Sequence, residues 1–127
     1  MTVLADRISV IGAGAWGTAL ASAIARAGRT VTLFARNAAA ARQIQETRES
    51  PRLPGIPLAE RVTVAALTDG LPPGDAILLV VPAQSLRATV SGIAGAIAAG
   101  TPVVACAKGI ERTTRAFMTG IVTEWKI

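Results

Sequence analysis

Arg7-Ile8-Ser9-Val10-Ile11-Gly12-Ala13-Gly14-Ala15-Trp16-Gly17 joins a short β-branched run to a glycine-spaced turn, and an Ala/Leu/Ile-rich run from Thr18 to Ala27 follows at once. The first segment reads as a strand. The last reads as a helix stopped by Gly28, which takes the left-handed conformation after a helix without steric cost. That helix is apolar nearly all round, so it is expected to lie buried against a sheet. A strand, a Gly-x-Gly-x-x-Gly turn and a buried helix in this order form a phosphate-binding unit. Gly12 makes the tight turn, Gly14 lets the backbone approach a pyrophosphate, and Gly17 lets the helix pack close to the strand. The helix N-terminus offers unpaired N–H groups and partial positive charge to the phosphates. The backbone N–H groups of Ala15 and Trp16 are placed to donate. The plain alternative is a glycine-rich turn that only aids packing.

Outward from this unit the chain alternates. Thr30 to Ala35 is a second strand, and Asn37 is a candidate N-cap for a helix from Ala38 to about Arg48. Pro51, Pro54, Gly55 and Pro57 break regularity. Val62–Ala65 is a weaker strand, expected at an edge, and Leu71 to Asp75 is a turn. Ala76 to Val81 is a continuous apolar run, the mark of a parallel strand covered on both faces. Leu86, Val90, Ile93 and Ile97 recur at helical spacing. Val103–Ala107 is expected to be another buried strand. A last helix is expected from about Thr114, with Phe117, Ile121 and Trp125 on one face. The order β-α-β-α-loop-β-β-α-β-α predicts an α/β fold with a doubly wound, mostly parallel sheet of the Rossmann type.

Composition narrows the function. The chain has 127 residues, 51% hydrophobic and 17% charged, enough for one domain with a real core and too apolar for disorder. Aromatic residues make up 3%, so the core must be aliphatic and Ala-rich. There is no His, which removes every mechanism needing an imidazole base or ligand within this chain, and no metal site is expected. The single cysteine, Cys106, allows no internal disulfide and suits a reducing cytoplasm as a small hydrophobe. Net charge is +5, from 13 basic and 8 acidic residues, but the eleven Arg are scattered and lack interleaved stacking aromatics, so nucleic acid is not an expected partner. Val90 to Ala107 is uncharged over 18 residues, yet three Gly and Pro102 split it into helix end, turn and strand, so no membrane span is expected. Oligomerisation stays open.

Two further places point to the ligand. Proteins that prefer NAD carry an acid at the end of the second strand to bind the ribose 2′-OH. Here Phe34-Ala35-Arg36-Asn37 has none, and Arg36 can pair with a 2′-phosphate through its fork of donors. NADP(H) is therefore the favoured cofactor and NAD the alternative; the bland reading of Arg36 is a solvated strand-end cation. In open α/β sheets ligands bind beyond the carboxyl ends of the strands. Val81-Pro82-Ala83-Gln84 follows the fourth strand, and its Pro and apolar residues are placed to line the nicotinamide side. Lys108, one of two lysines in the chain, is placed to meet cofactor or an anionic substrate. Glu111 reads as a loop or cap residue rather than a catalytic base.

Val10 to Ala21, then Leu53-Pro54-Gly55, then Val81-Pro82-Ala83-Gln84, then Lys108-Gly109-Ile110-Glu111 fall in one order that resembles bacterial NAD(P)-dependent glycerol-3-phosphate dehydrogenase. The Leu-Pro-Gly and Lys-Gly-Ile-Glu segments make the resemblance specific, and Ser50 stands where that family usually has Asn. The resemblance implies an oxidoreductase that interconverts sn-glycerol 3-phosphate and dihydroxyacetone phosphate by hydride transfer, supplying the backbone of phospholipids. It matches Ala15, Trp16 and Arg36 to cofactor contacts and Lys108 to a residue meeting both cofactor and substrate. It also implies a further strand, a substrate-binding Ser-Gly-Pro segment and a helical domain with the acid/base lysine, none of which can be placed in 127 residues. The expectation is thus a truncated NAD(P)-binding domain over residues 1–127, its sheet incomplete on the C-terminal side. The C-terminal helical substrate domain would be absent, no catalytic residue would lie in this chain, and turnover alone would be little or none. The alternatives are a non-catalytic NADP-binding module, an inert fragment, or a related 3-hydroxy acid or ketopantoate-type dehydrogenase.

Overall fold

A computed structural model describes residues 6–107 and 109–124. Five parallel strands form one sheet in the order β3-β2-β1-β4-β5. They are β1 (Arg7–Ile11), β2 (Thr30–Ala35), β3 (Val62–Ala66), β4 (Ala76–Leu79) and β5 (Val103–Ala105), with helices α1 (Ala15–Arg26), α2 (Ala38–Thr47), α3 (Leu86–Ile93) and α4 (Met118–Glu124) between and after them. The expected Rossmann-like doubly wound sheet is present, and β3 lies at an edge as its weak pattern predicts.

Strand residues alternate between two cores, as the period of two requires. Val10, Val31, Leu33 and Val62 face Ala21 and Ala25 of α1 and Ala41 and Ile44 of α2. Ile11, Phe34, Ile77 and Leu79 face Leu86, Val90 and Ile93 of α3 and Met118, Ile121 and Val122 of α4. Each fully buried Leu or Ile here stabilises the fold by about 1.5–3 kcal/mol over its exposed state. No helix intervenes between β3 and β4; a short 3-10 turn at Leu67–Asp69 and the turn before Asp75 make the crossing. The Asp75 carboxylate accepts from the backbone N–H groups of Arg7, at 2.8 Å, and Asp6, which hold its pKa below the ordinary value and pin this turn to the start of β1.

Helix ends follow local chemistry. Asn37 caps α2 through a 2.9 Å bond from the Ala40 N–H to Oδ1. Arg48 closes α2 in the left-handed region, φ 59°, where glycine is the usual residue. Its side chain compensates by donating to the carbonyls of Ala59 and Val62 at 2.9 and 2.8 Å, fastening the Pro-rich loop to β3.

Several boundaries differ from expectation. α1 begins at Ala15, three residues earlier than Thr18, because the glycine turn delivers the chain directly into helical geometry. β4 ends at Leu79 rather than Val81, where the chain bends toward the 3-10 turn Ala83–Ser85. α3 stops at Ile93 and gives way to a 3-10 turn over Ala94–Ala96, in a stretch where Gly92 and Gly95 lower helix propensity. β5 covers only Val103–Ala105 and is not buried: as an edge strand it leaves Val104 49% exposed. The last helix starts at Met118, not Thr114. Arg115 sits at φ 61°, and an antiparallel bridge pairs Ile110 with Phe117, so the chain makes a turn before it can become helical. Phe117 is therefore 68% exposed, while Met118, Ile121 and Val122 carry the buried face. Trp125 lies outside the described residues.

Candidate functional site

Register places the ends of four strands level. Ile11 pairs with Phe34 on one side and Leu79 on the other, and Leu79 pairs with Ala105. The loops leaving β1, β2, β4 and β5 therefore rise from one edge. The chain leaves β1 toward β2 on one side, while β4 and β5 lie on the other, so the order reverses at β1 and opens a crevice there.

A cleft of about 940 Å³ occupies that crevice. It is lined by Gly12, Gly14 and Trp16 of the glycine turn and α1, by Arg36 and Asn37 after β2, by Val81, Pro82 and Ala83 after β4, and by Cys106 and Ala107 after β5. Ser50, Pro51 and Arg52 also line it. Among the described residues, no Asp or Glu side chain lines it, so Arg36 and Arg52 leave it electropositive.

The three glycines divide the work as the motif predicts. At φ +121°, a side chain on Gly12 would be strained, and its Cβ would overlap the Val80 carbonyl. A Cβ on Gly17 would overlap the Gly12 carbonyl oxygen, so α1 can approach the turn only because that atom is missing. A Cβ on Gly14 would meet nothing within 4 Å; it would project into open space. Gly14 is also the N-cap of α1, with no side-chain cap, and no acid stands in the first turn. An uncapped helix N-terminus beneath an open cradle, without a competing carboxylate, fits a phosphate-bearing cofactor.

Of the predicted site residues, Gly12, Gly14, Trp16 and Arg36 line the cleft together. Ala15 and Gly17 stand in the first turn of α1, Ala15 exposed and Gly17 buried against Gly12. Lys108 lies outside the described residues. Burial pushes the Cys106 thiol pKa up, which favours the protonated thiol over the thiolate.

Two contributors escaped the motif. Ser50 is 1% exposed, and its Oγ donates to the Ala13 carbonyl at 3.0 Å while accepting from the Arg52 N–H at 3.2 Å. It ties the Leu-Pro-Gly loop to the glycine turn. Arg52, whose N–H bonds Ser50, also lines the cleft; apart from the departure from the family's Asn, a serine followed by proline after a helix is the sign the chain carries. Glu111 is 6% exposed, in the loop after β5, and accepts from Arg87 Nε at 3.0 Å and from the Thr114 hydroxyl. These donors hold its carboxyl below the ordinary glutamate range.

A family model described as NAD-dependent glycerol-3-phosphate dehydrogenase N-terminus matches residues 7–126. A glycerol-3-phosphate dehydrogenase (NAD(P)+) of Bradyrhizobium sp. strain ORS 278 is 58% identical over 117 residues, which cover 92% of this chain and 36% of that protein. The crystal structure of glycerol-3-phosphate dehydrogenase from Coxiella burnetii matches with a TM-score of 0.81 at 25% identity, covering 94% of this chain and 37% of that one. A ternary structure of D-mandelate dehydrogenase with NADH and anilino(oxo)acetate matches at TM-score 0.72 and 21% identity, over 94% of this chain and 37% of that one, a likeness of fold. The chain thus spans about 36% of the length of the curated relative it matches. Among the described residues, no helix is long and apolar enough to cross a membrane.

Proposed function

The chain belongs to the family of the NAD-dependent glycerol-3-phosphate dehydrogenase N-terminus, and from that premise we propose that it is the cofactor-binding part of an oxidoreductase acting on sn-glycerol 3-phosphate and dihydroxyacetone phosphate. The observation that carries this reading is the open cradle above Gly14 at the uncapped N-terminus of α1. The pyrophosphate of the cofactor would sit there, on the N–H groups of Ala15 and Trp16. A bound nicotinamide supplies or accepts a hydride at C4. The chain's own part is to bind, orient and shield. Val81, Pro82 and Ala83 give the nicotinamide an apolar wall. Trp16, 59% exposed at the cleft, covers the dinucleotide from the side of α1.

NADP(H) is the cofactor this reading favours over NAD. Arg36 follows the end of β2 at the cleft, makes no hydrogen bond or ion pair among the described residues, and meets no acid there. A 2′-phosphate would give its guanidinium a bidentate partner. Lys108 is read as the contact to the anionic substrate and the cofactor. Its chain neighbours support this: Ala107 lines the cleft, and Gly109 stands beside Ala83 of the cleft lining, where a Cβ would be in ordinary contact at 3.5 Å from the Ala83 Cβ. The acid/base lysine belongs, on this reading, to a helical substrate domain outside residues 1–127. The expected behaviour of these residues is cofactor binding without turnover, in a cytoplasmic enzyme that supplies the glycerol backbone of phospholipids.

The experiment is a pair of titrations, NADPH and NADH, on the wild type and on Arg36→Glu. The reading predicts tighter binding of NADPH, with the preference reduced roughly tenfold or more in the variant as the guanidinium–phosphate pair is lost. An unchanged ratio would remove Arg36 from this role.

A further inference from the structure

The 3-10 turn Ala83–Ser85 has two sides. Pro82, Ala83 and Ser85 line the cleft, and Gln84, between them, turns away from it. The Gln84 amide reaches the loop after β5 at two points. Its Nε2 donates to the Ile110 carbonyl at 3.0 Å, and its Oε1 accepts from the Arg112 N–H at 2.9 Å. One side chain thus reads a carbonyl and an N–H two residues apart, as a neighbouring strand would. Only an amide supplies both a donor and an acceptor in this way; a carboxylate loses the first bond and an aliphatic side chain loses both.

A second anchor stands one helical turn on. Arg87 Nε donates to both oxygens of Glu111, at 3.1 and 3.0 Å, and its terminal nitrogens pair with Glu124 of α4. Glu111 also takes the Thr114 hydroxyl, and its own N–H donates to the Ala116 carbonyl at 3.0 Å. Residues 110–112 are therefore fastened at consecutive positions to the segment that walls the cleft. Gln84 is exposed, and exposed hydrogen bonds add little to global stability. Two of them converging on one loop nonetheless fix where that loop stands relative to the cleft.

We propose that Gln84 is a positioning residue: its amide, with the Arg87–Glu111 pair as second anchor, holds the loop that follows Lys108 so that the lysine meets the bound cofactor. This rests on the reading of Lys108 given above. Gln84 touches no ligand itself. It acts through the backbone of Ile110 and Arg112.

The test uses the full chain, which has only two lysines, so that Lys126 serves as an internal control. Acylation of each lysine by an amine-reactive ester is followed by mass spectrometry, with and without saturating NADPH, beside the NADPH affinity and the melting temperature. The wild type is expected to show NADPH protecting Lys108 and not Lys126. In Gln84→Leu that protection is expected to disappear and the affinity to weaken by roughly 3- to 10-fold, the equivalent of one or two hydrogen bonds, with the melting temperature little changed. Gln84→Glu keeps only the acceptor, so partial protection is expected; it decides the matter alone should the Leu variant fail to fold. Full protection of Lys108 in the Gln84 variants, with protection also in the wild type, overturns the positioning role and leaves the reading of Lys108 standing. NADPH binding to the wild type without protecting Lys108 overturns both.

Discussion

Ser50 Oγ donates a 3.0 Å hydrogen bond to the carbonyl oxygen of Ala13, in the middle of the glycine turn and 37 residues away in the chain. Thr18 Oγ1, on α1, reaches the same carbonyl at 3.4 Å. The Ala13 carbonyl thus accepts from two side chains, one ahead of the Leu-Pro-Gly loop and one on α1, and the turn is braced by both. Ser50→Ala removes the closer donor and leaves the hydroxyl's place in a nearly sealed site empty. The expected cost is about 1–2 kcal/mol in urea unfolding, together with weaker NADPH binding. Ser50→Asn, which keeps a donor, is expected to recover part of both. Equal stability of Ser50→Ala and the wild type would show that the bond braces nothing.

Gly17→Ala tests the packing side of the motif. Its Cβ would overlap the backbone oxygen of Gly12, and neither group can swing aside as a flexible side chain could. Destabilisation of about 1–3 kcal/mol is expected from such overpacking, read as a lower urea midpoint at unchanged m-value. A stability within error of the wild type would mean that α1 shifts outward at no cost.

The Glu111 carboxyl should appear in the pH dependence of stability. Arg87 and then Thr114 lower its pKa in the folded chain from the ordinary value of 4.5. A folded-state pKa below the unfolded one gives stability that is present above the unfolded value and lost as pH falls through the folded one. The melting-temperature difference between the wild type and Glu111→Gln should hold steady from about pH 7 to 5 and shrink below about 4.5. A difference independent of pH down to 3 would contradict the pairing.

How much of this is readable from the residues alone depends on whether a signal is local. β1 and β2 begin and end where their β-branched runs do, and Asn37 caps α2, because strand pattern and cap chemistry are carried by neighbours in the chain. Gly12, Gly14, Trp16 and Arg36 converge on one cleft because the glycine turn and the start of α1 follow the end of β1, and Arg36 follows the end of β2. Val103–Ala107 misleads because an apolar run does not say whether a neighbour covers it: β5 is an edge, and Val104 is exposed. The helix expected from Thr114 fails because Arg115 takes a left-handed turn that only the Glu111–Ala116 pairing explains. Gln84 and Arg87 carry no motif for their contacts, since those partners lie 24 or more residues away.

The central claim is that the cleft is a dinucleotide site built on the glycine turn, and Gly14 tests it most directly. Its backbone is extended, φ −74° and ψ −173°, so other residues can take its place, and a Cβ there meets no protein atom within 4 Å. Calorimetric titration of NADPH into the wild type and Gly14→Val, with melting curves of both, separates the fold from the ligand. The account predicts one NADPH per wild-type chain, at least roughly tenfold weaker binding in Gly14→Val as the side chain takes the phosphate's place, and closely similar melting temperatures. Equal NADPH affinity in the two folded proteins, or no binding to the wild type, would contradict it.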